Sequence, residues 1–165
     1  MRRILLKNII YKIKTESAPP PMGTGLPVEE NVRRIFGRSL VIRHVDAGSC
    51  NACELELHAL SNPYYDLERY GISFTASPRH ADVLLVTGIV TWTMADALRE
   101  TFEAMPEPKW VIASGHCAIG GGMFADSPVC AGPVSSILPV SATIPGCPPS
   151  PRAVLGALLG LLEKT

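Results

Sequence analysis

No apolar run in this 165-residue chain approaches the roughly 18 to 20 consecutive residues that cross a bilayer, so any membrane association has to be peripheral or through partners. Net charge is missing too. Fifteen Lys and Arg offset fifteen Asp and Glu, which removes the global basic field expected of a nucleic-acid binder. Internal repeats and low-complexity tails are absent, and at 47% hydrophobic the chain can bury one proper core. Nor is a cleavable export signal expected. Arg2-Arg3-Ile4-Leu5-Leu6-Lys7 has a superficial twin-arginine look, but Lys7, Lys12 and Lys14 break up the apolar region and no small-residue cleavage site follows. Cysteines number five, an odd count that fits poorly with a secreted disulfide framework.

What is present is a particular placement of thiols. Cys50-Asn51-Ala52-Cys53 forms one short-spaced pair, Cys117 stands alone, and Cys147 sits in the frame Pro145-Gly146-Cys147-Pro148-Pro149. Four thiolates from three separate loops are the ligand set of a [4Fe-4S] cluster, because each tetrahedral iron takes one soft sulfur ligand. Structural zinc also accepts four thiolates but usually draws them from two short-spaced knuckles, and only one such pair exists here. A thioredoxin-like redox pair would fit Cys50 and Cys53 at a strand-to-helix turn while leaving Cys117 and Cys147 without a task. Cys130 is the odd thiol. It reads as a small hydrophobe, with a role near the cluster as the alternative.

Along the chain, Arg2, Arg3, Lys7, Lys12 and Lys14 interleave with Ile4, Leu5, Leu6, Ile9, Ile10 and Ile13. That basic amphipathic segment suits an anionic membrane surface or a partner, the alternative being a solvated tail. Ser17 to Pro27 reads as a Pro/Gly linker, and Val28 to Phe36 as a short helix stopped by Gly37. Residues 1–38 are thus expected to form an arm and linker, and residues 39–165 one domain. In that domain the pattern predicts strands at Leu40–Val45, Ile72–Phe74, Asp82–Thr87 and Lys109–Ser114. Helices are predicted from Cys53 to Leu60, around Tyr64–Tyr70, from Thr93 to Met105 and from Pro151 to Leu162. The last is apolar nearly all round, so it fills the core or faces another subunit. Strands alternating with helices imply an α/β fold, a parallel sheet covered on both faces, with sites at the carboxyl ends of its strands. Cys50, Cys53 and Cys117 each fall just past a predicted strand.

The text around the cysteines can also be compared with known proteins. Ser49-Cys50-Asn51-Ala52-Cys53-Glu54, Ser77 to Gly88, Pro106 to Ile112 and Pro145 to Pro149 together resemble the family of the complex I 20 kDa subunit and the small subunits of membrane-bound [NiFe] hydrogenases, over residues 39 to 163. Complex I members place the first two ligands on adjacent cysteines and hydrogenase small subunits separate them by two residues, as here. The resemblance is therefore nearest the hydrogenase-4 and formate hydrogenlyase type. It implies a flavodoxin-like domain holding a single [4Fe-4S] cluster on Cys50, Cys53, Cys117 and Cys147. The cluster would lie against a large subunit with the nickel-iron centre.

The implied role is relay of electrons between a ferredoxin-like iron-sulfur subunit and that centre, in a complex with integral membrane subunits on the cytoplasmic face of the cell membrane. The chain would not be active alone, since nickel needs two Cys-x-x-Cys pairs. The alternative is a complex I type (NADH-quinone oxidoreductase) subunit passing electrons to quinone. In the resemblance Glu54 stands where an acid has been placed on a proton route, while as a plain sequence feature it is a helix-start glutamate favoured by the macrodipole. Arg79 and His80 are candidates to donate to the cluster or couple a proton to it, against the plainer reading of loop salt bridges and caps. His116 precedes a ligand without being expected to be one. Gly120-Gly121-Gly122 lacks the Lys-Ser/Thr of a phosphate loop and reads as tight packing near Cys117.

Overall fold

A strand buried at every position has to be covered on both sides, and Val83–Thr87 is buried at all five. The computed structural model describes residues 38–163 and shows how that cover is built. The basic arm, the linker and the expected Val28–Phe36 helix fall outside the described residues. Strands β1 (Leu40–Asp46), β2 (Ile72–Phe74), β3 (Val83–Thr87), β5 (Trp110–Ser114) and β7 (Ala142–Ile144) form one sheet in the order β2-β1-β3-β5-β7, every pairing parallel. Counted within the sheet alone this is the flavodoxin-like order, whose switch point lies between β1 and β3. The expected α/β class with a flavodoxin-like parallel sheet is the one observed.

Helices α1 (Ala52–Ala59) and α4 (Pro151–Glu163) cover one face, where Leu57, Leu60, Val154, Leu155 and Leu158 pack on Leu40, Ile42, Leu85 and Ile112. Helices α2 (Trp92–Glu103) and α3 (His116–Gly120) cover the other, with Ala95, Leu98 and Ala118 on Val45, Val86 and Ala113. A short antiparallel ribbon, β4 (Val90–Thr91) with β6 (Cys130–Gly132), stands outside the main sheet. Of the two readings of Pro151–Leu162, core filling is what the described side chains do. Ser150 starts α4, its Oγ accepting from Ala153 N–H at 3.3 Å, with Pro151 as the first helical residue.

Three expected elements differ. The Tyr64–Tyr70 helix is only a 3-10 turn at Leu67–Tyr70, because Asn62 Oδ1 takes the N–H groups of Tyr64 and Tyr65, and Asp66 adopts φ 46°. Helix α1 runs from Ala52 to Ala59 rather than from Cys53 to Leu60, with Asn51 before it at φ 69° and Cys50 in the preceding loop. Helix α2 stops at Glu103, and Met105 tucks into the core beyond it. Arg38, the last residue of the expected arm, is tied to the domain: its guanidinium reaches Asp82 at 2.7 Å, and Asp82 also accepts Val41 N–H at 2.9 Å.

Candidate metal centre at the carboxyl edge of the sheet

Parallel strands deliver their following loops to one edge, and each of the four spaced cysteines follows such a strand. Cys50 and Cys53 come after β1, Cys117 after β5 and Cys147 after β7. The loops are stitched in pairs. Behind β1 and β3, Ala47 N–H donates to Thr87 O at 2.9 Å and Ile89 N–H to Gly48 O at 3.3 Å. Behind β5 and β7, Gly115 N–H donates to Ile144 O and His116 N–H to Gly146 O, both at 2.8 Å. Asp46, the last residue of β1, accepts the N–H groups of Gly48 and Ser49 at 2.8 and 2.7 Å and fixes the turn into Cys50.

Two glycines make room for the sulfurs. Gly115 has φ +91°, and a Cβ there would come within 3.0 Å of Cys53 Sγ; Gly122 has φ +54°, and its Cβ would meet Cys117 Sγ at 2.9 Å. The second accounts for part of the Gly120-Gly122 run as packing at Cys117. Burial pushes the Cys53 thiol up to about 11, helped by Glu54 and by Cys117, Cys50 and Cys147; burial, then Cys147 and Cys50, raises Cys117. The four thiols therefore lie within electrostatic reach of one another. Cys130 does not enter that set; it lies in β6, with backbone N–H bonded to Ser127 O at 3.0 Å.

Among the described residues no three His, Cys, Asp or Glu converge closely enough to hold a single ion. A mononuclear tetrahedral zinc would need its sulfurs about 3.8 Å apart, whereas a cubane takes each thiolate on a different iron. The donor set, four soft thiols around space kept open by two glycines, fits an iron-sulfur cluster. Such thiols lose their protons when a cationic group binds, so loading releases protons.

Glu54 is no ordinary helix-start residue. It is only 8% exposed, and its carboxylate accepts the Ser49 hydroxyl at 2.6 Å and the hydroxyl of Thr87, which is fully buried. His44 Nε2 lies 2.8 Å from Thr87 Oγ1 and 3.7 Å from Glu54 Oε1. Burial outweighs the pull of Glu54 and Asp46 and lowers His44, so the imidazole is neutral rather than an ion-pair partner. Thr87 gives its single proton to Glu54; His44 therefore donates to Thr87 through Nε2–H. This His44, Thr87, Glu54, Ser49 chain borders a cleft of about 280 Å³ lined also by Leu57, His58, Ser61 and Phe74.

The remaining sequence candidates lie elsewhere. Arg79 and His80 are exposed in a 3-10 turn at Pro78–His80, before β3 begins and hence at the amino edge, opposite the cysteines. Their expected contribution to the cluster has no support from this placement. His116 opens α3 with an exposed side chain. Sequence reasoning missed His44, Ser49, Thr87 and Ser114. The available signal was that the apolar runs Val83–Thr87 and Trp110–Ser114 both end in a hydroxyl residue.

Residues 50–161 match the family model described as NADH ubiquinone oxidoreductase, 20 Kd subunit. The chain is 46% identical over 131 residues to the probable membrane-bound hydrogenase subunit mbhJ of Pyrococcus furiosus, covering 79% of this chain and 78% of that one. It is 45% identical to formate hydrogenlyase subunit 7 of Escherichia coli, over 96% of this chain and 65% of the relative. To a subunit of the NADH-quinone oxidoreductase of Heliobacterium modesticaldum it is 44% identical, over 68% and 65%. Among solved structures, a chain of the membrane-bound sulfane sulfur reductase, an archaeal respiratory membrane complex, superposes with TM-score 0.68 at 35% identity, over 82% of this chain and 75% of that one. An NAD+-reducing [NiFe]-hydrogenase shares the fold, with TM-score 0.60 at 21% identity over 77% and 93%. The chain belongs to the family of the 20 Kd subunit of NADH ubiquinone oxidoreductase.

Proposed function

We propose that this chain is the electron-transfer small subunit of a membrane-associated [NiFe] hydrogenase of the formate hydrogenlyase type, with Cys50, Cys53, Cys117 and Cys147 holding one [4Fe-4S] cluster. Family membership supports the coarser statement, a subunit of a membrane-bound hydrogenase or complex I-like oxidoreductase. The observation that carries the finer one is the gathering of four thiols from three strand-end loops, with Cys130 left out. When bound, a cluster of this kind takes up and gives back one electron. The protein's part is to supply the thiolates, shield them by burial and fix the loops that carry them.

The partners this reading requires are a large subunit with the nickel-iron centre, a ferredoxin-like iron-sulfur subunit and integral membrane subunits. No described helix is long and apolar enough to cross a membrane, so attachment on the cytoplasmic face runs through those subunits and the basic residues of 1–14. Trp92, Met123, Phe124 and Val129 are exposed, with Trp92 Nε1–H donating to Pro128 O at 3.2 Å. Met123 and Phe124 follow Cys117 closely in the chain, and apolar side chains exposed there support a subunit contact on the cysteine side. Glu54, held by two hydroxyls, is set to keep a proton site at a fixed atom beside Cys53.

A second reading, a subunit passing electrons to quinone, is favoured by the NADH-quinone oxidoreductase relative. The spacing of Cys50 and Cys53 supports hydrogen instead. The purified complex is expected to contain nickel and to evolve hydrogen from a low-potential donor, with Glu54→Gln slowing evolution more than cluster reduction. Quinone reduction by a nickel-free complex would replace the hydrogenase reading with the second one.

A further inference from the structure

Two buried side-chain polar atoms find no hydrogen-bond partner among the described residues, Arg43 Nε and Ser114 Oγ. Arg43 is partly buried mid-strand, on the face of β1 opposite His44. Ser114 is different. It is fully buried, it ends β5, and its register places it in one row across the sheet, Asp46, Thr87, Ser114, Ile144. Every other polar member of that row serves the cysteine loops: Asp46 holds the turn before Cys50 and Thr87 holds Glu54. Ser114 directly precedes Gly115, the residue whose missing Cβ leaves room for Cys53 Sγ, and stands three residues before Cys117. A buried hydroxyl at the strand end that leads into the Cys117 loop, with no partner among the described residues, calls for an acceptor that those residues do not provide.

We propose that the Ser114 hydroxyl donates a hydrogen bond to a sulfur of the group held by the four cysteines and so raises its reduction potential. The inference rests on the cluster reading above. Reduction adds negative charge to the sulfurs, and a donor aimed at them stabilises the reduced form more than the oxidised one. Ser114 is then a potential-setting residue rather than a ligand.

The test is an anaerobic redox titration of the full chain in its complex, followed by electron paramagnetic resonance, with Ser114→Ala and the isosteric pair Ser114→Thr and Ser114→Val. Iron content is expected to stay at the parent level in all three. The midpoint potential should fall in Ala and Val and stay near the parent in Thr, and a deuteron coupling to the cluster seen in D2O should vanish in Ala. Iron-free Ser114→Ala should unfold no more easily than the parent, since it loses an unpaired hydroxyl. Retained iron with unchanged potential and deuteron coupling in Ala and Val would overturn the proposal, assigning the hydroxyl to an internal water or to no partner. A destabilised iron-free Ala variant would also overturn it, since the hydroxyl would then be bonded within the protein. Failure of the parent itself to bind iron would instead remove the cluster reading on which the proposal rests.

Discussion

At the carboxyl edge of the sheet, Thr87 and Ser114 occupy the outermost register row and point toward α1, while Val86 and Ala113, one residue back, point toward α2 and α3. All four are essentially buried. On the α2/α3 side of this edge the apolar core continues with Val45 and Ala118; the buried polar atom on that face without a partner, Arg43 Nε, lies further back in β1, opposite Leu84. On the α1 side the core of Leu85, Ile112 and Leu57 gives way to hydroxyls, a carboxylate and a neutral imidazole. A buried hydroxyl costs stability unless it is bonded. Its use on one face alone therefore separates what holds the fold from what serves the site. Among the buried residues of this edge one side is packing, while the other carries the hydrogen-bonded groups around Glu54.

The largest effect on that contrast is expected from exchanging the two chemistries. Thr87→Val keeps the shape but strips a donor from buried Glu54 and an acceptor from His44, at a cost of about 1–3 kcal/mol. Its mirror, Val86→Thr, puts a hydroxyl into a wholly apolar layer and is expected to cost about 1–3 kcal/mol for the opposite reason. Denaturant unfolding of both variants checks this. If Val86→Thr proves as stable as the parent, the α2/α3 side is less strictly apolar than described.

A smaller effect belongs to His44. Its pKa is lowered from the ordinary 6.5, with burial the largest cause. The unfolded chain then takes up a proton as the pH falls through 6.5 while the folded chain resists. Above that point the group contributes its full stability; below it the contribution is progressively lost until the folded value is reached. The thermal midpoint should therefore fall on acidification below about pH 6.5 in the parent and fall less steeply in His44→Gln. Equal slopes would show that the pull of Glu54 cancels the effect of burial, and a shallower fall in the parent than in His44→Gln would show that Glu54 keeps the imidazole charged.

Much of this architecture was legible in the sequence because buried parallel strands read as continuous apolar runs: Val83–Thr87 and Trp110–Ser114 carry the signal in five residues each. Strand β7 escaped because its three residues, Ala142–Ile144, carry a single large apolar side chain and stop at Pro145, whereas the equally short Ile72–Phe74 carries two. The β4–β6 ribbon escaped for the same reason. The Tyr64–Tyr70 helix was overestimated because propensity does not register an Asn62 side chain that takes two backbone donors. Cysteine spacing marked the four thiols, since ligand type is written in residue identity. The polar row was not readable, because bringing Asp46, Thr87 and Ser114 side by side takes the register of three strands far apart in the chain. Arg79 and His80 were candidates because they open the Ser77–Gly88 stretch of the resemblance, and the sheet places that stretch's start at its other edge.

The most direct measurement is the iron and acid-labile sulfide content of anaerobically reconstituted protein, taken for the parent and for each Cys→Ser variant. About four irons and four sulfides per chain are expected in the parent and in Cys130→Ser, with a visible charge-transfer band. Serine at Cys50, Cys53, Cys117 or Cys147 should abolish or degrade that content. One equivalent of zinc without visible absorption, or loss of iron in Cys130→Ser, would contradict the assignment.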